Sequence, residues 1–373
     1  MKIAMIGQKG IPALYGGIER HVEEIARRLV VKGHEVSVYC RLHYTPTGGS
    51  YHGVELVRLP SLRTKHLDTI THVALSTAHA MTRDFDVLHF HALGPSLFAG
   101  PPRALGRATV VTVHGLDWQR EKWGRFAQWA LKQCEGPAVR FPDRTIVVSQ
   151  TLREYFTSHY GRDTVTIPNG TVLPEPRPAN KIHRYGLEAG KYVLFVGRLV
   201  PEKGVHFLCE AWSRLDTDLT LAICGGSAGS DDYVRQIAQS AGPRVKMLDY
   251  VYGEGLEELY SNAYVVCLPS TVEGLSLVLL EALSYGRCVL VSDIPENVEV
   301  TRDAAPTFRT KDVADLSTQL GRLLAEPGLV HAYEAKARGH IAAHYSWDRV
   351  VDATVGVYEA VVRARRGGPA AKG

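Results

Sequence analysis

The sequence lacks any long apolar run. No stretch approaches the roughly 18 consecutive apolar residues a spanning helix needs, which argues against a transmembrane protein. Cysteine is sparse. Its six residues, Cys40, Cys134, Cys209, Cys224, Cys267 and Cys288, form no C-x-x-C pair and no regular spacing, which excludes a disulfide framework and predicts reduced thiols in a cytoplasm. An excess of one charge is also missing: 43 basic against 39 acidic residues leave +4, too mild for the dense basic face of a nucleic-acid binder. The opening Met1-Lys2-Ile3-Ala4-Met5-Ile6-Gly7 is too short an apolar stretch for a signal peptide and reads as a first strand.

What is present is globular composition, 45% hydrophobic and 22% charged. A length of 373 residues predicts two domains at about 100–200 residues each. In the first half, strands are expected at Lys2–Ile6, Glu35–Tyr39, Val54–Leu59, Val87–Phe90, Thr109–Val113 and Thr145–Val148, while Ile18, Val22, Ile25, Ala26 and Leu29 mark one helix face. Pro168-Asn169-Gly170 closes this half, and Pro174, Pro176 and Pro178 mark a linker. The alternation then restarts with strands at Tyr192–Val196, Leu219–Cys224, Val245–Leu248, Tyr264–Leu268 and Cys288–Ser292. These patterns predict an α/β chain of two tandem, Rossmann-like doubly wound domains: residues 1–170, a linker over 171–190, and residues 191–345. Residues 346–373 make a last helix and a frayed basic tail. Ligands of such sheets sit beyond the carboxyl ends of the strands, so the loops there are the place to look for chemistry.

Three loops qualify. Between the first strand and first helix, Gly16-Gly17 lets backbone approach a ligand, and the helix N–H groups that follow favour phosphate; a tight structural turn accounts for the glycines equally well. After strand Tyr192–Val196, Gly197-Arg198-Leu199-Val200-Pro201-Glu202-Lys203-Gly204 sets two cations five residues apart, fit to converge on a diphosphate or merely to be solvated. The strongest signal is Glu273-Gly274-Leu275-Ser276-Leu277-Val278-Leu279-Leu280-Glu281. Two carboxylates flank a helix start near Ser276, and Glu281, expected two turns into that helix, sits among leucines where a carboxylate is costly unless it binds something. Asp84-Phe85-Asp86 and Asp216-Thr217-Asp218 have the D-x-D form of a metal site, but their places next to strands suit backbone hydrogen bonding. His89-x-His91 sets two imidazoles on one strand face with no third ligand at a telling spacing, so cleft or core packing is expected.

Taken in order and spacing over nearly the whole chain, Gly16-Gly17, Gly197-Arg198 with Lys203, and Glu273 with Glu281 resemble the retaining glycosyltransferases of family four, which include glycogen-synthase-like relatives. Gly10-Ile-Pro-Ala-Leu-Tyr-Gly-Gly-Ile-Glu19 and His114-Gly-Leu-Asp-Trp-Gln-Arg-Glu-Lys-Trp123 look like a narrower bacterial group with rhamnosyltransferase-like enzymes of capsule and exopolysaccharide assembly. The resemblance implies a GT-B fold, two domains facing a cleft, with the last helix crossing back to the N-terminal one. It implies a nucleoside-diphosphate sugar as donor partner, with Arg198 and Lys203 on the diphosphate, Glu281 on the ribose, Glu273 on the sugar, and the Gly274, Leu275, Ser276 and Leu277 backbone meeting phosphate and sugar. His114 would lie beside the reacting sugar. No cofactor and no metal are expected, and transfer would proceed by front-face attack. Where family members often read Glu-Gly-Phe-Gly this chain has Glu273-Gly274-Leu275-Ser276, a departure beside the sugar. A nucleotide-sugar epimerase and a non-catalytic nucleotide-sugar-binding protein are the rival readings. The expected acceptor is a saccharide or lipid-linked saccharide at the inner membrane face, on the resemblance together with Trp118, Arg120, Lys122, Trp123, Arg125 and Lys132, which mix aromatic and basic residues as a peripheral membrane contact would; an amphipathic core helix accounts for the mixture equally well.

Overall fold

The computed structural model describes residues 1–14, 16–64, 67–119, 124–227 and 231–367. They divide into two compact units. Unit 1 takes residues up to 170 together with those from 347 onward, and unit 2 takes residues 171–346.

Unit 1 is built on a sheet of β1 (Lys2–Ile6), β2 (Glu35–Arg41), β3 (Gly49–Tyr51), β4 (Val54–Leu59), β5 (Val87–His91), β6 (Ala108–Val113), β7 (Arg144–Val147) and β8 (Val165–Thr166). Its order is β3-β4-β2-β1-β5-β6-β7-β8, and every pairing is parallel except β3 with β4. β1, β5 and β6 read as apolar runs because both faces of a parallel sheet are covered, and Ile3, Met5, Val87, Phe90, Val110 and Val111 are fully buried. Strand order reverses direction between β1 and β5, which is where a doubly wound sheet opens a crevice at its carboxyl edge.

The last helix, Trp347–Arg365, packs within unit 1. Tyr358 Oη lies 2.6 Å from His89 Nδ1, and Thr112 Oγ1 lies 2.7 Å from His89 Nε2, so this buried imidazole has both nitrogens satisfied. Burial pulls the His89 pKa down to about 3. Arg365 and Arg366 reach Asp143 and Asp86 at 2.6 and 2.7 Å. The residues beyond 367, expected to fray, lie outside the described residues.

Unit 2 carries β9 (Tyr192–Val196), β10 (Thr220–Cys224), β11 (Val245–Met247), β12 (Val265–Leu268), β13 (Val289–Ser292) and β14 (Thr307–Phe308), in the order β11-β10-β9-β12-β13-β14 and parallel throughout. Its core centres on Val193, Phe195, Leu208, Trp212, Ile223, Val265 and Leu290. The switch point lies between β9 and β12. Residues 171–190, read as a linker, are tied into this unit: the backbone N–H groups of Asn180 and Ile182 donate to the Glu258 carboxylate at 2.9 and 3.3 Å. A run of prolines cannot make a regular element, but its remaining donors still need acceptors. All six cysteines are buried and free. Among the described residues no helix is long and apolar enough to cross a membrane.

Candidate functional site

In unit 2, the two loops singled out in the sequence leave the sheet from the two strands of its switch point. Arg198 and Lys203 follow β9, and Glu273 follows β12. Gly204 makes the approach: it holds φ +70°, and a Cβ there would collide with the Pro269 carbonyl oxygen. Thr271 N–H donates to Glu202 O at 2.8 Å, stitching the loops together. The consequence is that Lys203 Nζ pairs directly with Glu273 Oε1, with 17% and 11% of the two side chains exposed. The cation and the carboxylate assigned to diphosphate and sugar thus meet each other.

Ser276 caps the helix Leu277–Ser284, its Oγ accepting from Leu279 N–H at 3.4 Å. Gly274 and Leu275 precede that cap in the loop, and the helix's first backbone donors open beyond it. Glu281 stands little more than one turn into the helix rather than two, because the helix begins at Leu277. Its leucine neighbours Leu279 and Leu280 are fully buried while Glu281 is half-buried. Tyr260 Oη donates to Glu281 Oε2 at 3.2 Å, which offsets part of the cost of setting a carboxylate there. Burial and then the Glu281 charge push the Tyr260 hydroxyl well above its ordinary range, so it remains a donor. Tyr260 was not legible as a partner, since only the fold brings its helix, Glu254–Asn262, beside Glu281.

In unit 1 the loop after β1 runs to the helix Gly17–Val31, with Gly16 and Gly17 exposed at the helix start. Gly16 holds φ +103°, and a Cβ there would collide with the Glu19 carboxylate. Glu19 and Glu23 turn back onto the loop, accepting from Lys9 and Ala13 N–H at 3.1 and 2.6 Å. The helix therefore brings its own acids to donors that a phosphate would otherwise use. Tyr15 lies outside the described residues.

His114 follows β6 and is half-buried. Two further histidines surround it. His91 ends β5, with its Nδ1 3.2 Å from His114 Nε2, and His21 on the first helix sets its ring centroid 4.6 Å from that of His114. The ring of His89 lies 4.1 Å from that of His91, as one strand face predicts, yet His89 bonds elsewhere. Both D-x-D stretches stand before strands: Asp86 accepts from Lys2 N–H at 2.8 Å beside β5, and Asp216-Thr217-Asp218 precedes β10. They lie at the amino edges of the sheets, opposite the loops described above.

Comparison with known proteins places the chain. Residues 15–173 match Glycosyltransferase Family 4, and residues 180–340 match Glycosyl transferases group 1. The alpha-D-kanosaminyltransferase of Streptomyces kanamyceticus is 31% identical over 74% of this chain and 77% of its own length. Among solved structures, the sucrose-phosphate synthase of Thermosynechococcus elongatus superposes with a TM-score of 0.83, at 21% identity over 97% of this chain and 99% of that one. HepE of Anabaena, solved with UDP-glucose, superposes with a TM-score of 0.79, at 18% identity over 96% and 99%. The fold is GT-B. The chain belongs to the glycosyltransferases, joining a Glycosyltransferase Family 4 region to a Glycosyl transferases group 1 region.

Proposed function

We propose that this glycosyltransferase moves a hexosyl group, with retention and without a metal, from a nucleoside-diphosphate sugar to a saccharide or lipid-linked saccharide during polysaccharide or glycoconjugate assembly. The observation that carries the reading is the Lys203–Glu273 pair beside the capped helix Leu277–Ser284 at the unit 2 switch point. A cation, a carboxylate and a helix N-terminus within two adjoining loops match a ligand that carries diphosphate and hydroxyls together. The Anabaena neighbour with UDP-glucose supports a donor of that class. Arg198 and Lys203 stabilise the leaving diphosphate, Glu281 accepts from the ribose, and Glu273 leaves Lys203 to hold the sugar hydroxyls. The work is positioning and charge stabilisation.

Support for an acceptor at a membrane face comes from the helix Arg125–Gln133, none of whose residues is buried. Phe126 and Trp129 are 79% and 59% exposed on it, with ring centroids 5.8 Å apart, beside exposed Arg125 and Lys132. Apolar rings flanked by cations suit an anionic interface. Arg120, Lys122 and Trp123, which the sequence adds to this group, lie outside the described residues.

Product analysis tests the reading. The protein is incubated with a panel of nucleotide sugars and lipid-linked saccharides, and the products are followed by mass spectrometry and NMR. A lengthened acceptor with the donor's anomeric configuration is expected; an epimerised donor or no turnover across the panel overturns it.

A further inference from the structure

Three histidines converge at the unit 1 switch point from three separate elements: His21 from the first helix, His91 from the end of β5 and His114 from the end of β6. One ring nitrogen of each lies within 4.8 Å of the other two. His21 and His91 are 2% and 0% exposed. His21 Nδ1 lies 2.8 Å from Asn169 Oδ1, and since a carbonyl oxygen only accepts, Nδ1 carries the proton and Nε2 is left as a lone pair. That Nε2 is buried without a partner among the described residues. An unmatched buried polar atom calls for an explanation by water or ion. An imidazole whose outer N–H is fixed by an amide oxygen, while its lone pair faces other imidazoles, has the form of a metal ligand with its orienting partner.

We infer that His21, His91 and His114 bind one divalent ion of the zinc class, and that the bound ion inhibits sugar transfer by occupying the His114 nitrogen. The binding stands on unit 1 alone, whereas the inhibition rests on the assignment of His114 to the reacting sugar. An all-imidazole set selects late first-row ions and not magnesium or calcium, which require oxygen. Tetrahedral zinc with Zn–N of about 2.0–2.1 Å spaces its nitrogens roughly 3.4 Å apart. His91 Nδ1 and His114 Nε2, at 3.2 Å, already meet that spacing. The trio leaves a fourth position for water. The sequence could not show the trio: its members are separated by 70 and 23 positions and meet only because β1, β5 and β6 are neighbours.

The test uses the full chain stripped of metal, with no sugar present. Cobalt(II) should saturate at one equivalent with the visible absorption of a tetrahedral nitrogen site, and zinc should bleach it; magnesium should do neither. His21→Gln and His91→Gln, used where their melting curves match wild type, should lose the cobalt band. Asn169→Ala keeps all three ligands and should weaken zinc binding by roughly 10–100-fold. Transfer by wild type should fall at one equivalent of zinc, and His21→Gln should resist that fall. No saturable cobalt band, or an undiminished band in a folded His21→Gln/His91→Gln double variant, overturns the site. A wild-type band without inhibition overturns the inhibitory role and points to an error in the His114 assignment, leaving the metal site in place.

Discussion

Lys203 and Glu273 show how much a single pair settles. A lysine in a loop is usually solvated, but this one is held against a carboxylate from the neighbouring strand's loop, so its charge is aimed before any ligand arrives. Losing one preorganised donor to developing negative charge costs about 10²–10³ in rate, and Lys203→Ala is expected to lose turnover in that range while remaining folded, with a lowered melting temperature because Glu273 loses its cation. Near-wild-type kcat in a folded variant would remove Lys203 from the reaction. Glu281 is a different case, since its partner Tyr260 orients it without neutralising it. Glu281→Gln removes one acceptor, and each charge-assisted hydrogen bond lost is worth roughly 1.5–3 kcal/mol. Donor affinity, read by calorimetry, should fall about tenfold or more, and wild-type affinity would show that the ribose lies elsewhere.

At the scale of elements, the helix Leu67–Met81 carries an acid-sensitive group. His72 is fully buried on its inner face, with Arg41, Asp68 and His43 the charged or titratable groups around it. Burial first, and then the Arg41 charge, pull its pKa down to about 4 from an ordinary 6.5. The unfolded chain takes up this proton below pH 6.5 and the folded chain only below about 4, so stability is complete above that window and drains away as pH falls through it. The most this one group can contribute is about 3 kcal/mol. Urea unfolding at pH 7 and pH 5 should show wild type losing more stability than His72→Gln; equal losses would assign the acid sensitivity to other groups. The helix Arg125–Gln133 poses a separate test. Phe126→Ser with Trp129→Ser should abolish binding to anionic vesicles without changing the melting temperature, because both rings are exposed. If wild type binds neutral and anionic vesicles equally, the electrostatic part of the membrane contact is wrong.

For the whole molecule, the tandem arrangement keeps the basic loop on its own sheet. Arg198 and Lys203 leave β9 of unit 2, whereas both D-x-D stretches lie at the amino edges of their sheets. On the proposed mechanism, the positive charge for the leaving diphosphate comes from those two side chains. Transfer should persist in excess EDTA, and activity that vanishes with EDTA and returns with magnesium or manganese would sink the metal-free mechanism. An inhibitory zinc-class ion at the histidine trio is compatible with this expectation, because it acts in unit 1 and chelation would relieve it.

Much of this architecture was legible in the chain itself. The runs at Lys2–Ile6 and Tyr192–Val196 became strands with those boundaries because strands covered on both faces read as near-continuous apolar runs, and Val54–Leu59 did so with Glu55 exposed between the buried Val54 and Leu56. The short strands Gly49–Tyr51, Val165–Thr166 and Thr307–Phe308 carry too few residues for any period to register, and only pairing with a neighbour defines them. The Glu273-to-Glu281 spacing was a local property and so was visible as sequence. Which groups those acids face was not. Lys203 is 70 residues from Glu273, Tyr260 is 21 from Glu281, and His21 is 148 from Asn169. Sequence by itself determined the alternation of strand and helix and the residue types at each carboxyl edge, since periodicity and turn chemistry act over a few residues. Which of those edges adjoin, and hence every ion pair and histidine contact at the candidate site, was decided by strand order, which long-range pairing alone can set.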